Sequence, residues 1–162
     1  MSPGSLKSTE ICLEAIDLQG KGRLMRGLLD TGCSKSLVVK EFTNYTFKCP
    51  SQEYTAYGNH KILVNRAANM KFKLIEFSDS KIVTFKCMVD STSDRQQPYD
   101  IILGLDFLFA MGIDLCFSRR TITWGDTVKE MQPLVGQLLD PEMSEVIYFM
   151  HTQSPLLKEM ED

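Results

Sequence analysis

The sequence predicts an all-β domain with one short helix, followed by a partly helical C-terminal extension. Three observations carry this. Apolar and polar residues alternate with period two over several short runs, glycine-rich polar turns separate the runs, and one helical stretch follows a buried strand and stops near Gly112. A chain of 162 residues suits one domain with an extension. It is long enough to bury a core without cross-links.

The elements follow in order. "TEICLEAIDL" (9–18) places Ile11, Leu13 and Ala15 on one face and Glu10, Cys12 and Glu14 on the other, a half-buried strand. "QGKG" (19–22) is turn chemistry, and "RLMRGLL" returns as the second arm of a hairpin that runs straight into Asp30. "KSLVVKEF" is a further short strand. Residues 52–65 hold two extended arms around "YGNH", with Gly58-Asn59 supporting positive φ at the tip. "MKFKLIEF" sets Met70, Phe72 and Leu74 against Lys71, Lys73 and Ile75, and "KIVTFKCMV" is another strand. The polar, proline-closed "DSTSDRQQP" is a loop. "YDIILGLDFLFAMGID" opens as a buried strand and ends as a short helix, and "IDLCFSRRTITW" is a last hairpin. Beyond Trp124, Val128, Met131, Leu134, Val135, Leu138 and Leu139 fall at helical spacing, interrupted by Pro133 and Gly136; Asp140-Pro141 is a helix start. The reading is thus 1–8 as a flexible N-terminus or expression scar, 9–124 as the domain, and 125–162 as an extension or polyprotein linker.

An apolar fraction of 43% with 24% charged residues is an ordinary globular mix. The formal net charge of -3 gives no footprint for nucleic acid or an anionic membrane surface. Five widely spaced cysteines contain no C-x-x-C pair and no Cys/His cluster, so neither a metal nor another cofactor is expected. An odd number of cysteines fits a reducing compartment. No apolar run approaches ~18 residues, and no signal peptide is visible.

The chemistry concentrates in "GLLDTGCSKSLV", Gly27 to Val38. Asp30 stands directly behind two leucines, and Thr31 and Gly32 follow at once. A bare Asp-Thr-Gly also suits an Asx-turn at a strand end. A second element, "DIILGLDFL" (Asp100 to Leu108), supplies apolar residues, a glycine and a short helix, starting 70 residues downstream of Asp30.

Together, in this order and spacing, the two elements resemble the retroviral-type aspartic proteases (retropepsins) over residues 9–124. The "ILGLDFL" form looks most like the enzymes of plant pararetroviruses, of the badnavirus and tungrovirus kind, and of Ty3/gypsy-type retroelements. The resemblance implies a closed β-barrel half with one short helix. It makes Asp30 the catalytic aspartate and Ile102, Leu103 and Gly104 the segment that supports its loop. It gives Thr31 a hydrogen bond across a dimer, Gly32 a close approach of its N–H to the carboxylate, and Ser34 a contact with the loop or the substrate backbone. Cys33 stands where the family has alanine or serine, a small packing residue that could also sense oxidation. Residues 54–63 match the flap, with Tyr57, Gly58, Asn59 and His60 at its tip. His60 reads as a solvated loop histidine, since no third group orients it against Cys33 or Ser34.

Peptide hydrolysis by this class uses two carboxylates that share one proton, because like charges held close together cannot both ionise. The charged member takes a proton from water and the neutral one donates to the scissile carbonyl. This chain has one Asp-Thr-Gly, and Asp100, Asp106 and Asp114 lack such a turn. The second carboxylate is therefore expected from a second copy, at the two-fold axis of a homodimer. The expected partner is an extended polyprotein peptide, in host-cell cytoplasm or a virus particle. "VIYFMHT" in the extension contains apolar pairs that such an enzyme could itself cut. Two competing readings are a domesticated, non-catalytic domain for dimerisation or peptide binding, and an unrelated small β-domain.

Overall fold

The structure is a computed structural model and describes residues 7–56, 60–92 and 98–133. Its strands are β1 (Lys7–Ser8), β2 (Glu10–Ile16), β3 (Gly22–Leu29), β4 (Leu37–Val39), β5 (Phe47–Ala56), β6 (His60–Lys73), β7 (Val83–Asp90), β8 (Ile101–Leu103), β9 (Asp114–Cys116), β10 (Thr121–Trp124), β11 (Thr127–Glu130) and β12 (Gln132–Pro133). Among the described residues one α-helix, α1 (Leu105–Met111), follows β8 and closes at Gly112. The chain divides into two compact units, Glu10–Gly112 and the chain on either side of it.

The first unit is one sheet in the order β2-β3-β8-β4-β7-β6-β5, and a further pairing of β2 with β6 closes six of these strands into a barrel. β5 stays outside the ring and pairs only with β6. The alternation read from the sequence is the inward face: Ile11, Leu13, Ala15, Met70, Phe72 and Leu74 are all buried, and Met25 and Leu29 of β3 join them. β8 is threaded between β3 and β4, parallel to the first and antiparallel to the second. A strand enclosed on both faces needs an unbroken apolar run. Ile101, Ile102 and Leu103 provide it, each almost fully buried.

α1 docks through Phe107 and Leu108. The Phe107 ring meets Phe72 at 5.7 Å and Phe85 edge-on at 5.1 Å between centroids. Burying a side chain of this size stabilises by roughly 1.5–3 kcal/mol. The helix therefore holds the end of β8 in place, next to the loop that carries Asp30.

Two elements of this unit differ from the sequence reading. "KSLVVKEF" is a strand only over Leu37–Val39 and then winds into a short 3-10 helix, Lys40–Phe42. The flap arm and "MKFKLIEF" are a single 14-residue strand, β6. Its first half pairs with β5 and its second with β7, and Ala67 faces both, opposite Phe47 and Met88. Ile62, Val64, Ala68, Met70 and Phe72 are buried at every second position, so the inward phase is kept along the whole strand, and only the partly exposed Arg66 interrupts it. That polar residue on the inward face, after Asn65, is what made one strand look like two.

The second unit contains an antiparallel meander in the order β11-β10-β9 and a short ribbon of β1 with β12. The β9–β10 hairpin forms as predicted. The β10–β11 hairpin does not follow the reading: Thr127–Glu130 is a strand, although Val128 and Met131 sit at helical spacing. Trp124 pairs with Thr127, leaving Gly125-Asp126 as a two-residue turn, and Gly125 takes φ +60. Glycine at a first turn position with positive φ suits a tight hairpin, and this local signal outweighs the weak apolar spacing. The remaining helical reading, from 134 onward, lies outside the described residues.

Candidate active site

β3 ends at Leu29 and hands Asp30 to a loop that runs to β4. The Asp30 N–H donates to the carbonyl of Leu103 at 2.9 Å, which extends the parallel β3–β8 ladder by one bond. Gly32 N–H donates to Asp30 Oδ1 at 2.8 Å, and Cys33 N–H to the Asp30 carbonyl at 3.3 Å. The chain thus turns around the carboxylate and aims a donor at it. Asp30 is half-buried, while Thr31, Gly32 and Ser34 are exposed on the loop.

The predicted supporting segment lies against this loop. Leu105 N–H donates to the Cys33 carbonyl at 2.8 Å and Asp106 N–H to the Ser34 carbonyl at 3.3 Å. Ile102 and Leu103 are buried, and Gly104 packs face-on against the Cys33 peptide. Cys33 is itself buried, and its Sγ donates to the Lys35 carbonyl at 2.9 Å. Burial raises its thiol pKa above the ordinary value, and the nearby charges of Asp30 and Asp106 add to the effect against the lowering bond to Lys35. The thiol is thereby kept neutral, in keeping with a packing position.

Two residues that the sequence reading passed over complete the arrangement. Ser36, 1% exposed, donates its hydroxyl to Asp106 Oδ1 at 2.8 Å and its N–H to Oδ2 at 3.1 Å. Its hydroxyl oxygen accepts the Gly104 N–H at 3.0 Å. The reading set Asp106 aside because it lacks an Asp-Thr-Gly turn. The available signal was its position, two residues after the glycine that opens α1.

The residues expected to form the flap fall in the β5–β6 hairpin, with Ala56 opposite His60. Tyr57, Gly58 and Asn59 lie outside the described residues, and His60 is placed only as the first residue of β6. The hairpin arms share a buried apolar cluster with the Asp30-loop side. Cys33, Leu37, Ile62, Val64, Tyr99 and Ile102 form it, and Leu28, Cys49, Tyr54 and Met88 pack on it half-buried. Among the described residues no group of three His, Cys, Asp or Glu side chains is placed to hold a metal ion. No helix there is long and apolar enough to cross a membrane.

A closed barrel with an acid-bearing loop after β3, a strand threaded between β3 and β4, and an unclosed β5–β6 hairpin is a retropepsin-like fold. The crystal structure of the retroviral protease-like domain of Ddi1 from Leishmania major is similar, with a TM-score of 0.53. That match has 14% sequence identity and covers 79% of this chain and 96% of the other, so the likeness is one of fold. No family model and no curated protein matches the sequence.

Proposed function

We propose that this chain is an aspartic endopeptidase that works as a homodimer. The observation that carries the reading is the Asp30 loop: a half-buried carboxylate with the Gly32 N–H on its Oδ1, fixed from behind by Leu103. One chain supplies one such loop, so the pair of carboxylates forms from Asp30 and its copy across a two-fold axis. The pair holds one proton and titrates as a unit. The charged carboxylate takes a proton from the attacking water, and the neutral one donates to the scissile carbonyl oxygen as it gains charge. The tetrahedral intermediate then collapses, the amine leaves with a proton from the pair, and the resting state returns.

The substrate is an extended peptide that lies under the β5–β6 hairpin and gains backbone hydrogen bonds from it. The cluster around Cys33, Tyr54 and Ile62 supports a preference for apolar side chains beside the cut. The "ILGLDFL" form supports a viral or retroelement polyprotein as substrate, of the plant pararetrovirus or Ty3/gypsy kind, in the cytoplasm or a virus particle. Thr31 would bond across the dimer, and neither nucleic acid nor a membrane takes part.

A second reading is favoured by the solved neighbour, which comes from a cellular organism. In that reading the domain is a domesticated one that dimerises or binds peptide without turnover. Digestion of a peptide library by the wild type and by Asp30→Asn, with sedimentation of both, separates the two. Cleavage by the wild type that Asp30→Asn abolishes supports the protease. A dimer that binds extended peptides without cutting them supports the second reading, and equal cleavage by both proteins removes Asp30 from the mechanism.

A further inference from the structure

We infer that Asp106, acting through Ser36, is a positioning residue for Asp30; this rests on the protease reading above. The carboxylate of Asp106 is bound at both oxygens. Oδ1 takes the Ser36 hydroxyl and the Phe107 N–H, each at 2.8 Å, and Oδ2 takes the Ser36 N–H at 3.1 Å. The Ser36 hydroxyl has one hydrogen to give and gives it to Asp106, which leaves its oxygen free to accept from Gly104 N–H at 3.0 Å. Asp106 therefore fixes the direction of a buried hydroxyl, and that hydroxyl fixes the peptide between Leu103 and Gly104.

That peptide carries the Leu103 carbonyl, which accepts the Asp30 N–H at 2.9 Å. The path from Asp106 to Asp30 is thus a run of short bonds through buried groups. The loop is fastened along its length: at its start by Asp30 to Leu103, in its middle by Leu105 to Cys33 and Asp106 to Ser34, and at its end by Ser36 to Asp106. The last fastening depends on the Asp106 side chain, so a substitution can remove it. A carboxylate pair at a two-fold axis contains this loop twice, and a displacement in one copy recurs in the other. Small errors of placement cost rate more than binding, because the substrate is held by other parts of the barrel.

The test compares kcat and KM of the full chain as wild type, Asp106→Ala, Asp106→Asn, Ser36→Ala and the Ser36→Ala/Asp106→Ala pair, each checked for a cooperative melt. Asp106→Ala should lower kcat by roughly 10- to 100-fold and move KM by less than about 3-fold. Asp106→Asn, which keeps an oxygen at the Oδ1 position, should recover most of the loss. The double variant should be no slower than Asp106→Ala, because both changes break one chain of bonds. If Asp106→Ala does not fold, Asp106→Asn and Ser36→Ala carry the comparison. Wild-type kcat in Asp106→Ala and Ser36→Ala, a loss confined to KM, or fully additive losses would overturn the inference. Amide exchange at Gly104 and Asp30 supplies a readout without turnover: faster exchange in Ser36→Ala supports the path, and unchanged exchange removes it. A wild type that cuts nothing would sink the protease reading while leaving that exchange result to decide the path.

Discussion

A β-carbon on Gly104 would lie 2.4 Å from the carbonyl oxygen of Cys33 and 3.1 Å from its carbonyl carbon. Both are backbone atoms of the Asp30 loop, so neither can swing aside as a side chain would. Gly104 also sits where β8 ends and α1 begins, held by its N–H to Ser36. Gly104→Ala should therefore push the loop away from β8 and destabilise the domain by about 1–3 kcal/mol, the usual range for overpacking. The urea midpoint measures this. A Gly104→Ala protein with wild-type stability and turnover would mean that the loop yields freely, against the packing described.

Asp100 fastens the other end of the same strand. Its N–H donates to the Arg26 carbonyl at 2.8 Å, its Oδ2 accepts the Arg26 N–H at 2.8 Å, and its carbonyl accepts the Val39 N–H at 3.0 Å. One residue thus sets β8 in register between β3 and β4. Asp100→Ala leaves the Arg26 N–H without that acceptor and should cost about 1–3 kcal/mol, with Asp100→Asn milder. Glu10 reaches Arg26 as well, at 3.1 Å, but the arginine side chain is 46% exposed. Removing that pair by Glu10→Gln should cost less than about 1 kcal/mol. Thermal melts of the three variants give the order, and a larger loss in Glu10→Gln than in Asp100→Ala would reverse the argument.

The contrast between Asp30 and the acids Asp100 and Asp106 explains what could be read from the sequence. The placement of the Asp30 loop against Ile102-Leu103-Gly104 was legible because a local triplet and a distant apolar-glycine segment had a fixed order. The inward residues of β2 and of the second half of β6 were legible because one face of a barrel wall repeats every second residue. Asp100 and Asp106 were set aside for lacking an Asp-Thr-Gly turn, and their contacts could not be read because their partners, Arg26 and Ser36, lie 74 and 70 residues away in the chain. Only the threading of β8 between β3 and β4 brings them together, and no local pattern encodes a parallel register. The strand at Thr127–Glu130 was lost for the opposite reason: a single turn glycine decided it, against apolar residues that happened to fall at helical spacing.

Burial raises the thiol pKa of Cys33 and Cys87 above the ordinary 9.0, and the phenol pKa of Tyr99 above 10.0. Unfolding restores the ordinary values. Above pH 9.0 the unfolded chain therefore holds fewer protons than the folded one, and stability falls as pH rises. Below that point the contribution of these groups is complete. Cys87, fully enclosed in β7, should alone remove about 1.4 kcal/mol for each pH unit beyond it. Urea midpoints taken from neutral to alkaline pH should stay level and then decline, and Cys87→Ala should flatten part of the decline. A midpoint that holds through strongly alkaline pH would show that these groups ionise in the folded state.

The five cysteines are free thiols, but their surroundings differ enough to order their reactivity. Cys116, at the end of β9, is only partly buried and its Sγ lies 3.4 Å from the Ser118 hydroxyl. That contact lowers its pKa below the ordinary value, with the Arg119 backbone and charge adding to it against a small opposing effect of burial. The thiolate is the reactive form, so a lowered pKa raises its fraction at neutral pH. Cys33 and Cys87 are buried and shifted the other way. Brief alkylation of the native protein with iodoacetamide should label Cys116 first and leave Cys33 and Cys87 for the denatured chain. Peptide mapping by mass spectrometry reads the order directly. Ser118→Ala should slow labelling at Cys116 and leave the other four sites unchanged, and early labelling of Cys33 would mean that the Asp30 loop opens far more readily than its hydrogen bonds imply.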